Sequence, residues 1–196
     1  MIILASQSPR RQELMKLTGL LFTVRVADID ETMDDSLPPV QEVGRVSRLK
    51  ARAIAKAAAP GDIIIAADTI VVIDGKKLGK PHSEQDARAM LRLLSGRTHE
   101  VVTVLTVCRD EQIRSEPVVT RVTFRALSED EITAYIATGE PMDKAGSYGI
   151  QGYGAMFVSH LEGDYFSVMG LPLCPLCSQL RAFGVPILVP KEAQNT

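Results

Sequence analysis

Hydrophobic and polar positions along the chain follow two patterns, one typical of strands and one typical of helices. Short apolar runs bounded by turn residues predict strands at Ile2–Ala5, Leu21–Val26, Asp62–Ala67, Thr69–Asp74, Thr98–Arg109, Val118–Arg125, Met156–His160 and Tyr165–Val168. Apolar residues spaced three or four positions apart predict helices at Pro9–Leu17, Pro39–Ala58, Ser83–Leu94, Glu129–Ala137 and Pro172–Phe183. Strands and helices that alternate with short connections indicate an α/β domain.

Turn and capping residues mark several of the predicted boundaries. Ser83 with Asp86, and Ser128 with Glu131, have the spacing of capping boxes at the starts of two helices. The Asp-Gly pair at positions 74 and 75 predicts a hairpin between the sequences TIVVI and KKLGK. The acidic, turn-rich stretch at 28–38 is predicted to be a loop.

The first predicted helix begins in a way that suits an anion. Ser6, Ser8 and Pro9 follow the first apolar run, and serine and proline favour the start of a helix. The unpaired N–H groups of such a start attract anions, and the guanidinium groups of Arg10 and Arg11 match phosphate oxygens. The alternative is that the serines only cap the helix and the arginines are solvated. At this point the two interpretations are equally supported.

Two charged residues interrupt apolar patterns. Lys50 lies within the apolar stripe of the second helix, where it either extends its ammonium to solvent or points into a cleft. Asp68 interrupts the buried-strand sequence IIIAADTIVVI, where an unpaired carboxylate is costly. We favour a cleft carboxylate that binds a divalent ion or takes a proton from water over a structural Asp at a strand bend. Lys80, in the turn LGKP, could reach the same place across the hairpin.

The segment GEPMDKAGSYGIQGYGAMF contains glycines at positions 139, 146, 149, 152 and 154. Glycines this close together either let backbone amides approach a ligand or allow tight turns. Its polar residues Asp143, Lys144, Ser147 and Gln151 are candidates for contacting the edge of a ligand. The Gln151 amide both donates and accepts, as the imide of a nucleobase requires.

Composition and charge narrow the class of protein. The 196 residues are 45% hydrophobic and 23% charged, which predicts one globular domain over residues 1–190 with a flexible tail over 191–196. The net charge of −2 argues against a nucleic-acid binder, so the local basic clusters suggest a small anionic ligand. We expect neither a signal peptide nor a membrane span, and three cysteines favour reduced thiols in the cytoplasm.

The cysteines and histidines show no metal-site spacing. Cys174 and Cys177 form a C-x-x-C, but no second pair completes a zinc site, and we expect both to pack in the core beside leucines. His82, His99 and His160 are each expected at the surface or in a turn.

Taken in order, these sequences resemble the Maf family of nucleoside triphosphate pyrophosphatases. The matching motifs are SQSPRR at 6–11, DET at 30–32, RLKARA at 48–53, AADTIVV at 66–72, LGKP at 78–81, LSGRTHEVVT at 94–103 and GEPMDKAGSYGIQGYG at 139–154. The resemblance covers nearly the whole chain. It is specific, because several unrelated short motifs recur at the expected separations.

The resemblance implies a fold and an activity. The expected fold is α/β, an elongated, mixed and bent sheet flanked by helices with a cleft between two lobes, related to the inosine triphosphatase group. The expected reaction is cleavage between the α and β phosphates of a nucleoside triphosphate, with Mg²⁺ or Mn²⁺ as cofactor, by a cytoplasmic homodimer. No nucleic acid or membrane is expected as a partner.

The resemblance also assigns roles to residues. Asp68 is the expected general base and, with Glu31, a metal ligand. The residues assigned to phosphate binding are Ser6, Ser8, Arg11, Lys50 and Lys80. The residues that indicate the branch acting on dTTP and UTP are Arg10, Thr69 and Gln151. In the branch that prefers 7-methyl-GTP, a tryptophan replaces Arg10 and a different residue follows the Asp.

Two alternatives stay open at this point. The first is a pyrophosphatase for 7-methyl-GTP or for a broad range of nucleotides. The second is a nucleotide-binding regulator of septum formation whose turnover is incidental, although the presence of Asp68 favours catalysis.

Overall fold

The computed structural model describes residues 1–188, and the predicted tail at 191–196 lies outside them. The strands of that part of the chain are β1 (Ile2–Leu4), β2 (Thr23–Val24), β3 (Ile63–Ile73), β4 (Lys76–Leu78), β5 (Thr98–Arg109), β6 (Gln112–Phe124) and β7 (Val158–Glu162). The α-helices are α1 (Pro9–Lys16), α2 (Pro39–Ala55), α3 (Glu84–Leu94), α4 (Glu129–Ala137), α5 (Tyr165–Met169) and α6 (Leu173–Ala182). Short 3₁₀ helices lie at Glu140–Asp143, Ala145–Ser147 and Tyr153–Phe157. The single domain over 1–190 stays a prediction.

The strands form one mixed sheet in the order β2-β1-β3-β5-β6-β7, with β4 paired to β3. β1 runs parallel to both β2 and β3, whereas the pairs β3–β5, β5–β6 and β6–β7 are antiparallel. This architecture confirms the predicted mixed sheet flanked by helices. No helix of the described residues is both long and apolar enough to cross a membrane.

One edge of β3 is uncovered near its middle. β5 pairs with β3 from Ile63 to Val72, but on the other edge β1 reaches only residues 63–65 and β4 only residues 71–73. The Ala5 N–H donates to the Ile65 carbonyl at 2.7 Å, and the chain then leaves the sheet to enter α1. The sheet is therefore open along residues 66–70, the segment that contains Asp68.

Helices cover the two faces of the sheet. On one face, residues 64 and 66 of β3 pack with Ala51 of α2. On the other face, residues 65 and 67 pack with Leu14 of α1 and Leu176 of α6. Because successive side chains of a strand point to opposite faces, Asp68 lies on the α2 face and Thr69 on the other.

Three of the predicted strands are wrong as predicted. The strands predicted at Asp62–Ala67 and Thr69–Asp74 are one continuous strand, because Asp68 stays in the ladder opposite Val104 and its charge is paired with a lysine. The strand predicted at Tyr165–Val168 is helix α5. The side chain of Asp164 accepts a hydrogen bond from Ser167 N at 2.9 Å and so caps this short helix.

Two strands have the predicted type but a different length. β6 begins at Gln112 instead of Val118, because its pairing with β5 continues through the polar residues to the hairpin turn. β2 contains only Thr23–Val24, although Leu21–Val26 has a strand-like pattern.

The predicted turn and the capping box of Ser128 with Glu131 are confirmed, whereas the box of Ser83 with Asp86 is half formed, because the Asp86 carboxylate accepts from His82 N and not from Ser83 N. Asp74 and Gly75 have φ angles of 50° and 75° in the two-residue turn between β3 and β4. Ser128 and Glu131 form a complete capping box, and Ser83 accepts from the Asp86 N–H at 3.1 Å.

The expected positions of one histidine and one cysteine are wrong. Cys174 is exposed and Cys177 half-buried, because the inner face of α6 consists of residues 176, 179 and 180. His99 is only 2% exposed and packs edge-on against Phe124 and Tyr148. Its Nε2 lies 2.9 Å from the Tyr148 hydroxyl.

The burial of His99 predicts an acid-sensitive fold. Burial lowers the pKa of His99 to about 4, below its value of about 6.5 in an unfolded chain. Between these values the unfolded chain binds more protons, so the contribution of His99 is complete above pH 6.5 and declines by about 3 kcal/mol as the pH falls to 4. Urea unfolding from pH 7.5 to 4.5 should show a shallower decline for His99→Gln than for the wild type. The exposed His160→Gln is the control, and identical pH slopes for all three proteins would contradict this assignment.

Candidate active site

The open segment of β3 forms the floor of a large cleft with a volume of about 1020 Å³. The start of α1, the acidic loop at 28–35, one face of α2 and the glycine-rich segment after α4 surround it. Every residue assigned a role from the sequence lines this cleft, namely Ser6, Ser8, Arg10, Arg11, Glu31, Lys50, Asp68, Thr69, Lys80 and Gln151. The structure therefore brings these ten residues together in one cleft, and their roles stay predictions.

Lys50 lies at the centre of the charges in the cleft. Its Nζ is 2.8 Å from Asp68 Oδ1 and 2.8 Å from Glu31 Oε2. The lysine side chain is 10% exposed and that of Asp68 16%, so the two charges are largely shielded from water. The ammonium therefore points into the cleft and not out to bulk solvent, which decides between the two interpretations of Lys50.

Asp68 keeps one oxygen available. Lys50 occupies Oδ1, and no other group of the described residues donates a hydrogen bond to this carboxylate. A carboxylate that is oriented through one oxygen and open at the other has the geometry of a general base for a bound water.

The two carboxylates fit a divalent metal ion only in part. Glu31 and Asp68 each give one oxygen to the Lys50 ammonium and keep a second hard oxygen atom, the kind of ligand that Mg²⁺ or Mn²⁺ prefers. Residues 1–188 contain no cluster of three or more His, Cys, Asp or Glu side chains suited to a metal. A metal here would take its other ligands from water and from the phosphates of a substrate, as Mg²⁺ commonly does.

The start of α1 is organised around Arg11. Its Nε donates to the Gly170 carbonyl at 2.8 Å. Its Nη1 donates to Ser6 Oγ at 3.4 Å, and its Nη2 donates to Thr69 Oγ1 at 3.2 Å. Burial lowers the pKa of this guanidinium, although the neighbouring Asp68 charge opposes that effect. Ser8 is the N-cap residue, but its side chain makes no capping bond, so its hydroxyl is available to a ligand.

The other cations of the cleft are placed differently. Arg10 Nη1 forms an ion pair with Asp143 Oδ2 at 2.9 Å and so links α1 to the glycine-rich segment. Lys80 is exposed and lines the cleft without an ion-pair partner among the described residues.

The glycine-rich segment is folded around the carboxylate of Glu140. Glu140 Oε1 accepts from the Tyr135 hydroxyl at 2.8 Å and from Gly154 N at 3.1 Å, while Oε2 accepts from Tyr153 N at 2.8 Å. Gly149 N donates to the Tyr135 hydroxyl at 3.1 Å. These backbone amides are thus bound within the protein and do not face a ligand, so the glycines serve packing.

The candidate residues of this segment have separate positions. Asp143, Lys144 and Gln151 line the cleft, and Gln151 is exposed there. Ser147 does not fit the expectation, because it is fully buried and its hydroxyl points to the sulfur of Met90.

Sequence reasoning missed the residues that hold the acidic loop in place. Glu42, 1% exposed, accepts from Asp34 N at 3.1 Å and from Arg45 Nη2 at 2.7 Å. Arg45 also donates to the Thr32 carbonyl at 2.9 Å, so α2 holds the loop on both sides of its turn. Lys77 Nζ donates to the Asp34 carbonyl at 2.6 Å. Glu42 was detectable in the sequence, because an acidic residue at a core position of a helix needs a partner.

The contacts of Glu140 predict that substitutions at Gly152 and Glu140 have non-additive effects on the free energy of unfolding. A methyl group at Gly152 would overlap both carboxylate oxygens of Glu140, so Gly152→Ala should lower the free energy of unfolding by about 1–3 kcal/mol. The loss should be smaller when Glu140 is already alanine, because the overlapping group is then absent. A urea-unfolding double-mutant cycle measures this difference. Gly44→Ala is the control, since its added methyl meets only the flexible end of Arg48. Additive losses would show that the clash does not involve Glu140.

Comparison with solved structures supports the fold. A HAM1 protein from Coxiella burnetii aligns with a TM-score of 0.52 at 19% identity, and the Ham1 protein of Staphylococcus aureus with 0.51 at 14%. Each alignment covers 92% of this chain and 98% of the other. At this level of identity the likeness concerns the fold alone.

Comparison of sequences is more specific. Proteins named dTTP/UTP pyrophosphatase are 47% identical to this chain in Bacillus pumilus, covering 94% of this chain and 97% of the relative. The relative in Exiguobacterium sibiricum is 48% identical and covers 94% of this chain and 93% of its own length. The relative in Moorella thermoacetica is 49% identical and covers 95% of this chain and 96% of its own length. The model of the Maf-like protein family matches residues 1–183. The chain therefore belongs to the Maf-like protein family.

Proposed function

We propose that this chain is a nucleoside triphosphate pyrophosphatase that hydrolyses dTTP and UTP to the nucleoside monophosphate and pyrophosphate, as a housekeeping enzyme of the nucleotide pool. The observation that carries the proposal is the Glu31–Lys50–Asp68 cluster on the open segment of β3, beside a helix start with two arginines. The names of the relatives support the substrate class.

In the proposed reaction, water attacks the α phosphorus, the bond to the β-phosphate oxygen breaks, and pyrophosphate leaves. Asp68 takes the proton of that water through the oxygen that Lys50 leaves open. Ser6, Ser8 and the N–H groups that begin α1 hold phosphate oxygens, and Arg11 and Lys50 add positive charge. Lys80 reaches the same phosphates from the rim of the cleft.

We also propose a divalent cation as cofactor. Lys50 and Arg10 are each paired with carboxylates, which offset part of the positive charge that these side chains bring to a triphosphate. A metal held by the carboxylates of Glu31 and Asp68, beside the Lys50 ammonium, would neutralise charge on the phosphates. This is the physical support for Mg²⁺ or Mn²⁺.

The assembly and compartment are proposals of the same kind. The family resemblance supports a homodimer, for which light scattering of the purified protein is the direct measurement. The three cysteines are free, which supports a reducing compartment such as the cytoplasm.

Asp68→Asn should reduce the release of pyrophosphate from dTTP by about 10²–10⁴-fold while the thermal melt stays close to that of the wild type. The amide keeps the shape of the side chain but cannot take a proton. Rates with Mg²⁺, Mn²⁺ and EDTA give the metal requirement in the same assay. Asp130→Asn, on the exposed surface of α4 and outside the cleft, is the matched control. Near-native turnover by folded Asp68→Asn protein would exclude Asp68 as the base.

The enzyme should hydrolyse dTTP and UTP with similar kcat/KM values and reject CTP. Thymine and uracil present the same O4 acceptor and N3–H donor, and the 5-methyl group alone is worth only about 1–3 kcal/mol. Cytosine reverses this pattern and leaves polar groups of the site unpaired. Gln151→Glu, which loses the amide donor, should weaken both favoured substrates. Steady-state kinetics with the three nucleotides tests this, and equal kcat/KM values for CTP and UTP would exclude the proposed selectivity.

A further inference from the structure

Thr103 is a buried hydroxyl directly behind the floor of the cleft. It lies on β5 opposite Thr69 of β3, is 0% exposed, and is not among the residues that line the cleft. The two hydroxyl oxygens are 2.8 Å apart. Thr103 therefore reaches the cleft only through Thr69.

The direction of the bond between the two threonines follows from their other partners. Thr103 Oγ1 lies 2.7 Å from the Ser167 carbonyl oxygen, which can only accept. A hydroxyl has one proton, so the proton of Thr103 is used in that bond. The proton between the two threonines must then come from Thr69.

Thr69 is left as an acceptor only. Its proton points away from the cleft to Thr103, and one of its two lone pairs receives Arg11 Nη2 at 3.2 Å. The remaining lone pair is the one available to a ligand in the cleft. A ligand group that meets this oxygen must bring its own hydrogen.

Gln151 alone cannot fix which base is accepted. Its side chain is exposed and makes no hydrogen bond with any other group in residues 1–188. A free amide can rotate to exchange its donor and its acceptor, so it can match either the uracil or the cytosine pattern. A second group with fixed polarity is needed to reject cytosine.

We propose that Thr103 is a positioning residue for base selection, because it holds Thr69 as a fixed acceptor for the N3–H of thymine or uracil. The inference rests on the proposed function and names the polarity element that its substrate selectivity requires. Cytosine, whose N3 is an acceptor, meets the lone pair of Thr69 and is repelled.

The test is Thr103→Val, which keeps the shape of the side chain and removes the hydroxyl. The Ser167 carbonyl still accepts from Gly170 N at 2.9 Å, so it keeps a partner in the variant. The freed Thr69 hydroxyl can turn its proton into the cleft and donate to cytosine N3. The ratio of kcat/KM for CTP to that for UTP should rise by about tenfold, the worth of one hydrogen bond.

Thr103→Ser is the matched control, because it keeps the hydroxyl and should leave the ratio close to that of the wild type. Thr69→Val, which removes the acceptor itself, should also lower discrimination between UTP and CTP. In the Thr69→Val background, Thr103→Val should change the ratio no further, since its effect passes through Thr69. A merely structural role of Thr103 would lower the rates for all nucleotides together.

Three outcomes would overturn the proposal. One is an unchanged ratio of kcat/KM for CTP to that for UTP in folded Thr103→Val protein. Another is a rise of this ratio on Thr103→Val that is equally large when Thr69 is already valine. The third is a change in the dTTP to UTP ratio alone, which would mean that Thr69 contacts the 5-methyl group or the sugar and not N3. If Thr103→Val does not fold, unchanged discrimination by Thr69→Val rejects the proposal by itself. Failure of the proposed function is distinguishable, because the wild type would then hydrolyse neither dTTP nor UTP.

Discussion

The ion pair between Lys50 and Asp68 is the contact on which the cleft depends. A carboxylate in the middle of an apolar strand would lose several kcal/mol of hydration, and the ammonium at 2.8 Å offsets that loss. The same ammonium draws Glu31 of the acidic loop to the strand. Removing Lys50 would leave both carboxylates without a cationic partner in the described part of the chain. The pair thus orients Asp68 and leaves it accessible from one side.

This ion pair is possible only because the sheet is open at that point. If β1 continued past Leu4, or β4 continued past Leu78, a neighbouring strand would cover residues 66–70. Instead the chain turns into α1 on one side, and the β3–β4 hairpin ends at Gly79 on the other. The start of α1, with its N–H groups and arginines, is thereby brought beside the exposed segment. Ligand sites in α/β proteins commonly lie where neighbouring chains leave a sheet in different directions.

The sequence predicted the residues that line the cleft more reliably than the contacts between them. Asp68 and Lys50 were identified because a charged residue in an apolar pattern needs a partner, and such a residue can be recognised from the neighbouring sequence alone. Helix α5 was missed because its apolar run is short and its cap, Asp164, carries the signal instead. The burial of His99 was missed because it follows from packing against Phe124, a contact between distant segments.

The hydrogen-bond network behind the cleft shows why a list of lining residues does not define a binding site. Thr69 is one residue along the chain from Asp68, yet its side chain lies on the opposite face of the sheet, where it joins Arg11 and Thr103. On that face the polarity of its hydroxyl is set by the Ser167 carbonyl of α5, a residue that does not line the cleft. The donor and acceptor roles in a buried hydroxyl network are fixed when one hydroxyl meets a group that can only accept or only donate. The Ser167 carbonyl supplies that condition here, so the backbone of α5 orients a proton two side chains away.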